Sequence, residues 1–193
     1  RTSRVSFSEE INGIEDLAQG SKEGQNALRR EGSMEMECLK DHMAEIIRPN
    51  RLFLGSAFAA RHALASHAIT HVVNLAADAT RDDPVEQNGR CCLLLAMDDQ
   101  EDAITVCLFD RVIRFIDAAL AQDTSQVLVH CLTGISTSPA MVAAYVLHSG
   151  QASSLDEAFE SIRSKRSIVD FSGHHASLAR WEAEFQDRRQ RSS

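Results

Sequence analysis

Apolar residues return along the chain at two different periods, and the places where the period changes mark out the elements. Between Met34 and Ile47, Met36, Leu39, Met43, Ile46 and Ile47 recur at helical spacing until Pro49 and Asn50 impose a turn, which predicts a helix over 34–47. Arg51–Leu54, followed by Gly55, predicts a short strand, and the alanine-rich Ser56–His67 predicts a helix. The β-branched run Ile69–Ala76 suits a buried parallel strand. A turn-like Gln87-Asn88-Gly89 stretch leads into a second apolar run, Cys91–Leu95. Ile104, Leu108, Val112, Phe115, Ile116 and Leu120 form a stripe that predicts a long helix over 103–121. Gln126–Cys131 reads as a strand, a Gly/Ser/Thr loop follows, and Pro139–His148 predicts a helix that opens on proline. Ser154 and Glu157 make a capping box ahead of Leu155, Phe159 and Ile162, in a helix ending near Arg166. Leu178, Trp181 and Phe185 predict a last helix over 175–188. Strands and helices alternate, so the expected class is α/β, a central and mostly parallel sheet flanked by helices.

Composition narrows the organisation. Arg1–Ser33 is rich in Glu, Gln, Ser, Gly and Arg, which predicts a weakly ordered polar arm, then a folded domain over 34–188 and a tail over 189–193. The 193 residues suit one domain, and 44% apolar with 25% charged residues excludes a mostly disordered chain. No run approaches about eighteen apolar residues and the first twenty or so residues are polar and acidic, so neither a membrane span nor a signal peptide is expected. Cys38, Cys91, Cys92, Cys107 and Cys131 form no CxxC pair and no regular framework, which points to a reducing, intracellular and cytoplasmic setting. Adjacent Cys91 and Cys92 read as packing residues on opposite faces of a strand. The pairs His62/His67, His67/His71 and His174/His175 lack a third ligand at metal spacing, so no metal and no cofactor is expected. A formal net charge of −8 leaves no global field for nucleic acid or an anionic membrane. An anion would have to be held by local geometry.

That geometry is suggested by Val129–Ala140, where a cysteine at the carboxyl end of a parallel strand is followed by a tight loop and a helix start. Helix starts present unpaired N–H groups and positive dipole charge, which suit a phosphate-sized anion and favour a thiolate over a thiol. Cys131 is therefore the candidate nucleophile, against the plain alternative of a small buried residue. The residues His130, Cys131, Gly134 and Ser138 match four of the five positions of His-Cys-x-x-Gly-x-x-Arg-Ser. The segment resembles the signature of the cysteine-dependent dual-specificity protein phosphatases, and the likeness runs in order from about Ile46 to Glu184.

The resemblance implies that Cys131 attacks phosphorus, that the loop His130, Cys131, Leu132, Thr133, Gly134, Ile135, Ser136, Thr137 and Ser138 holds the phosphate oxygens, and that Ser138 eases release of the thiolate. It also implies a general-acid aspartate ahead of the long helix; counting back from Phe109 gives Asp99, with Asp98 as its neighbour. The plain alternative is an acidic cluster placed to suit a helix dipole. Arg166 resembles a family arginine that holds the phosphopeptide outside the pocket, although Arg163, Lys165 and Arg166 also suit a solvated helix end. The chain departs from the family pattern in two places. Thr137 stands where the signature has its phosphate-clamping arginine, and Asp170-Phe171-Ser172-Gly173-His174 stands where the family often has Pro-Asn-x-Gly-Phe. Losing the charged, two-pronged donor predicts a phosphatase-like module that binds phosphorylated proteins with little turnover. The alternatives are an active phosphatase using Cys131 and Asp99, and a scaffold whose loop binds nothing.

Overall fold

The computed structural model describes residues 43–47, 51–66, 68–77, 83–96 and 106–191. The described strands are β1 (Ala44–Ile47), β2 (Leu52–Ser56), β3 (His71–Asn74), β4 (Val85–Gln87), β5 (Arg90–Leu94) and β6 (Val127–Cys131). The described helices are α1 (Ala57–Ser66), α2 (Val106–Leu120), α3 (Thr137–His148), α4 (Leu155–Lys165) and α5 (His175–Arg191), with a 3₁₀ turn over Ser172–His174. The strands form one sheet in the order β1-β2-β6-β3-β5-β4. Its inner pairs β2/β6, β6/β3 and β3/β5 are parallel, and antiparallel strands close both edges. This is the α/β sheet that the sequence pattern predicts.

Alternation along the strands separates two cores. Leu52, Leu54, Val73, Leu93, Val127, Val129 and Cys131 face one way, towards α2, α3, α4 and α5. Phe53, Val72, Cys92 and Leu128 face the other way and pack with Ala60 and Ala63 of α1. Cys91 packs on the first core and Cys92 lies in the second, as expected of adjacent strand residues. Helix α3 lies deepest: every residue from Ser138 to Leu147 is buried.

Several boundaries differ from the sequence expectation, each for a physical reason. Residues 34–42 of the predicted first helix lie outside the described residues, but Ala44–Ile47 is a strand that pairs antiparallel with β2. Its inward residues are Ala44 and Ile46, a period of two, so ladder pairing and burial override the helical spacing. Pro139 is the third residue of α3 rather than its first. It is tolerated there because N–H groups in the first turn have no intrahelical acceptor. In α2 the buried side is Phe109, Val112, Ile113, Phe115, Ile116 and Ala119, while Leu108 and Leu120 sit at its margin. Asn88 and Gly89 both adopt positive φ, 51° and 72°, and form a two-residue turn between β4 and β5.

Arginines and caps secure the helix ends nearest the sheet. Arg51 donates to the carbonyls of Leu120, Gln122 and Ser125 at the end of α2, and Arg90 donates to those of Leu64 and Ile69 around the end of α1. Trp181 and Arg188 both donate to the Asp110 carboxylate, which joins α5 to α2. At the start of α4 the Ser154 hydroxyl accepts from the Glu157 N–H at 3.2 Å. The Glu157 carboxylate reaches back to the N–H and hydroxyl of Ser153, one residue before the cap. Ser154→Ala removes the acceptor for a first-turn N–H and is expected to lower unfolding free energy by about 1 kcal/mol, read from urea denaturation.

Candidate active site

Strands β2 and β6 end level with each other, Gly55 beside His130 and Ser56 beside Cys131. The chain then turns sharply over 132–136 into α3. Leu132 O accepts from Ala57 N–H at 3.1 Å, which ties the first loop residue to the start of α1. Gly134 has φ of 69°, and a Cβ there would stand 2.7 Å from the Gly55 carbonyl group and the Ser56 nitrogen. Glycine is required twice, by the left-handed backbone and by the approach of one main chain to another.

This turn brings two donors onto Cys131. The Gly134 N–H and the Ser138 hydroxyl each donate to Sγ at 3.2 Å, and Cys131 as a residue is buried. The Ser138 hydroxyl also lies 3.5 Å from Gly55 O. Thr137 and Ser138 occupy the first two positions of α3, where backbone N–H groups have no intrahelical acceptor. Leu132 is 65% exposed beside the buried cysteine.

Arg166 supports the loop from behind. It is buried at the carboxyl end of α4, and its guanidinium donates to Gly134 O at 2.9 Å and Thr133 O at 3.5 Å. Its basic neighbours are also engaged with protein: Lys165 donates to Ile46 O, and Arg163 lies over the Phe171 ring. Arg163 and Lys165 are nevertheless exposed, as a solvated helix end would have them, and only Arg166 of the three is buried. From the other side, the Asp170 N–H donates to Ile135 O at 2.8 Å.

His130 lies one residue before the cysteine, is 2% exposed, and its Nδ1 has no hydrogen-bond partner among the described residues. Burial pushes its pKa down to about 4, only partly opposed by hydrogen bonding to the Cys131 backbone.

The structure therefore brings together Cys131, Ser138, Thr137, the loop backbone and Arg166. Asp98 and Asp99 lie outside the described residues. Two contacts were not assigned to the site from sequence. The first is the Gly55–Ser56 peptide, whose role is backbone contact. The second is His174, whose Nε2 lies 3.3 Å from Thr137 Oγ1. The two departures from the signature thus meet in space, a contact between residues 37 positions apart that a linear motif does not express.

A parallel-sheet α/β domain with a cysteine at a central strand end, two donors on its sulfur and a helix start beyond it defines the architecture of a cysteine-dependent phosphatase. Residues 52–184 match the dual specificity phosphatase catalytic domain, and the chain belongs to that family. It is 30% identical over 169 residues to dual specificity protein phosphatase 1 of Arabidopsis thaliana, covering 86% of this chain and 82% of that protein. It is 36% identical over 128 residues to human dual specificity protein phosphatase 13B, covering 63% of this chain and 64% of that protein. Among solved structures, the human tyrosine phosphatase-like serine/threonine/tyrosine-interacting protein superposes with a TM-score of 0.61 at 26% identity, over 75% of this chain and 98% of that one. Among the described residues, no helix is long and apolar enough to cross a membrane.

Two outcomes follow from the loop's supports. Arg166→Met leaves the Gly134 and Thr133 carbonyls without their charged donor and is expected to cost about 2–3 kcal/mol in urea denaturation. For His130, the folded pKa of about 4 lies below its ordinary 6.5, so the unfolded chain binds the extra proton first. Stability held above pH 6.5 should fall as pH drops towards 4, by about 3 kcal/mol in total. In His130→Asn that part of the decline should vanish from a series of denaturation curves.

Proposed function

We propose that this domain binds phosphorylated proteins through the loop after β6 and turns them over poorly. The observation that carries the reading is the state of residue 137. Thr137 begins α3 at the place of the signature arginine, and its hydroxyl is in contact with His174. Arg166, a basic group at the loop, donates to the carbonyls of Thr133 and Gly134.

The chemistry divides accordingly. Loop N–H groups and the α3 dipole suit the oxygens of a phosphate ester, and Cys131 would attack phosphorus, with Ser138 stabilising the sulfur as it leaves again. Asp99 would give a proton to the departing oxygen. Phosphoryl transfer depends mainly on positioning and on donors that match the transition-state charge. Threonine supplies one neutral hydroxyl where arginine would supply a charged fork, and one missing donor of this kind costs about 10²–10³ in rate. Binding tolerates that loss better than turnover does, because the backbone donors remain. The human structural neighbour described as a phosphatase-like interacting protein is consistent with a binding role on this fold. Cys91, Cys92, Cys107 and Cys131 are free thiols, which fits a reducing cytoplasmic setting.

Hydrolysis of an aryl phosphate by wild type, Thr137→Arg and Cys131→Ser tests the assignment, alongside titration with phosphotyrosine and phosphothreonine peptides. Wild-type turnover should be weak and lost in Cys131→Ser, and Thr137→Arg should raise it about 10²-fold. Phosphopeptides should still bind the wild type. Rapid wild-type turnover abolished by Cys131→Ser would establish the active phosphatase instead, and absence of both turnover and binding would leave the scaffold.

A further inference from the structure

A hydroxyl carries one proton, and its neighbours decide where that proton points. Thr137 Oγ1 and His174 Nε2 lie 3.3 Å apart, and a neutral imidazole accepts or donates at Nε2 according to its tautomer. With Nε2 bare, the threonine proton goes to the imidazole, and the hydroxyl offers only lone pairs to anything else, which repel an oxyanion. With Nε2 protonated, the imidazole donates to Oγ1, and the threonine proton becomes available to a second acceptor. One tautomer makes residue 137 an anion repeller; the other makes it an anion donor.

The surroundings give this exchange a fixed stage. His174 closes the 3₁₀ turn over Ser172–His174, and the segment before it is pinned to the loop by the 2.8 Å bond from Asp170 N–H to Ile135 O. The Asp170 carboxylate accepts from the N–H and hydroxyl of Ser172. At the start of α3 the Ser138 hydroxyl is directed to the cysteine sulfur. Thr137 is the adjacent hydroxyl and is directed to His174 instead.

We propose that His174 is a positioning residue for phosphate in the loop: an oxyanion selects the Nε2–H form of His174, so that Thr137 accepts from the imidazole and donates to the anion. This rests on the phosphate-binding reading above and specifies how the position without arginine takes part in it.

The test is calorimetric titration of the full chain with inorganic phosphate, using wild type, His174→Phe, His174→Gln, Thr137→Val and the double variant Thr137→Val/His174→Phe. His174→Phe and Thr137→Val should each weaken binding roughly tenfold, and the double variant should be no weaker than either single one. His174→Gln, whose amide also donates, should recover most of the affinity and serves if the phenylalanine variant fails to fold. Nitrogen-15 spectra of the histidine rings should show Nε2 of His174 gaining its proton as phosphate is added. Unaltered affinity in His174→Phe, strict additivity in the double variant, or an unchanged imidazole tautomer would overturn the inference while leaving phosphate binding in place. Failure of the wild type to bind phosphate would overturn both.

Discussion

The loop after β6 closes because one atom is missing: a Cβ on residue 134 would stand 2.7 Å from the Gly55 carbonyl group and the Ser56 nitrogen. That main-chain approach follows from the register of the sheet, in which β2 and β6 end side by side. From it the rest of the site takes its shape. Gly134 N–H reaches the sulfur of Cys131, its carbonyl turns outwards to Arg166, and the chain enters α3 with Thr137 and Ser138 in its first turn. A sheet register thereby becomes a sulfur environment, through one glycine and without any bulky side chain inside the turn.

Much of this was readable from residue order, because its causes are local. The β-branched and apolar runs around Val72 and Val129, the Ser154 cap and the buried Leu178, Trp181 and Phe185 announce themselves through period and residue type. Ala44–Ile47 did not, since Ile46 and Ile47 fit a helical spacing as well as a strand, and only the neighbour β2 decides between them. Proline at 139 marked the start of α3 but not its exact turn, because the whole first turn of a helix tolerates a missing N–H. At the site, Cys131, Gly134 and Ser138 were legible as a spaced pattern. The contacts of Arg166 with the loop, and of His174 with Thr137, join segments that are adjacent only after α4 and the 3₁₀ turn have packed.

Arginine has a recurring use in this molecule. Arg51, Arg90 and Arg166 all place their guanidinium groups on backbone carbonyls at the ends of helices or loops. Each satisfies acceptors that the turn would otherwise leave exposed to a poorly solvating environment. Positive charge at these places serves the shape of the chain. The same residue type that a phosphate loop would use as a clamp is here used as a buttress, and the two uses demand opposite orientations of the group.

The loop is supported from behind, by groups other than the side chain at position 137. The loop's form rests on Gly134, the Gly55 peptide and Arg166, while the side chain of residue 137 is in contact with His174. Shape and charge at the loop are therefore the business of different residues. Codons for threonine and arginine can differ by a single base, so a lineage can exchange one for the other without first having to rebuild the turn that carries it.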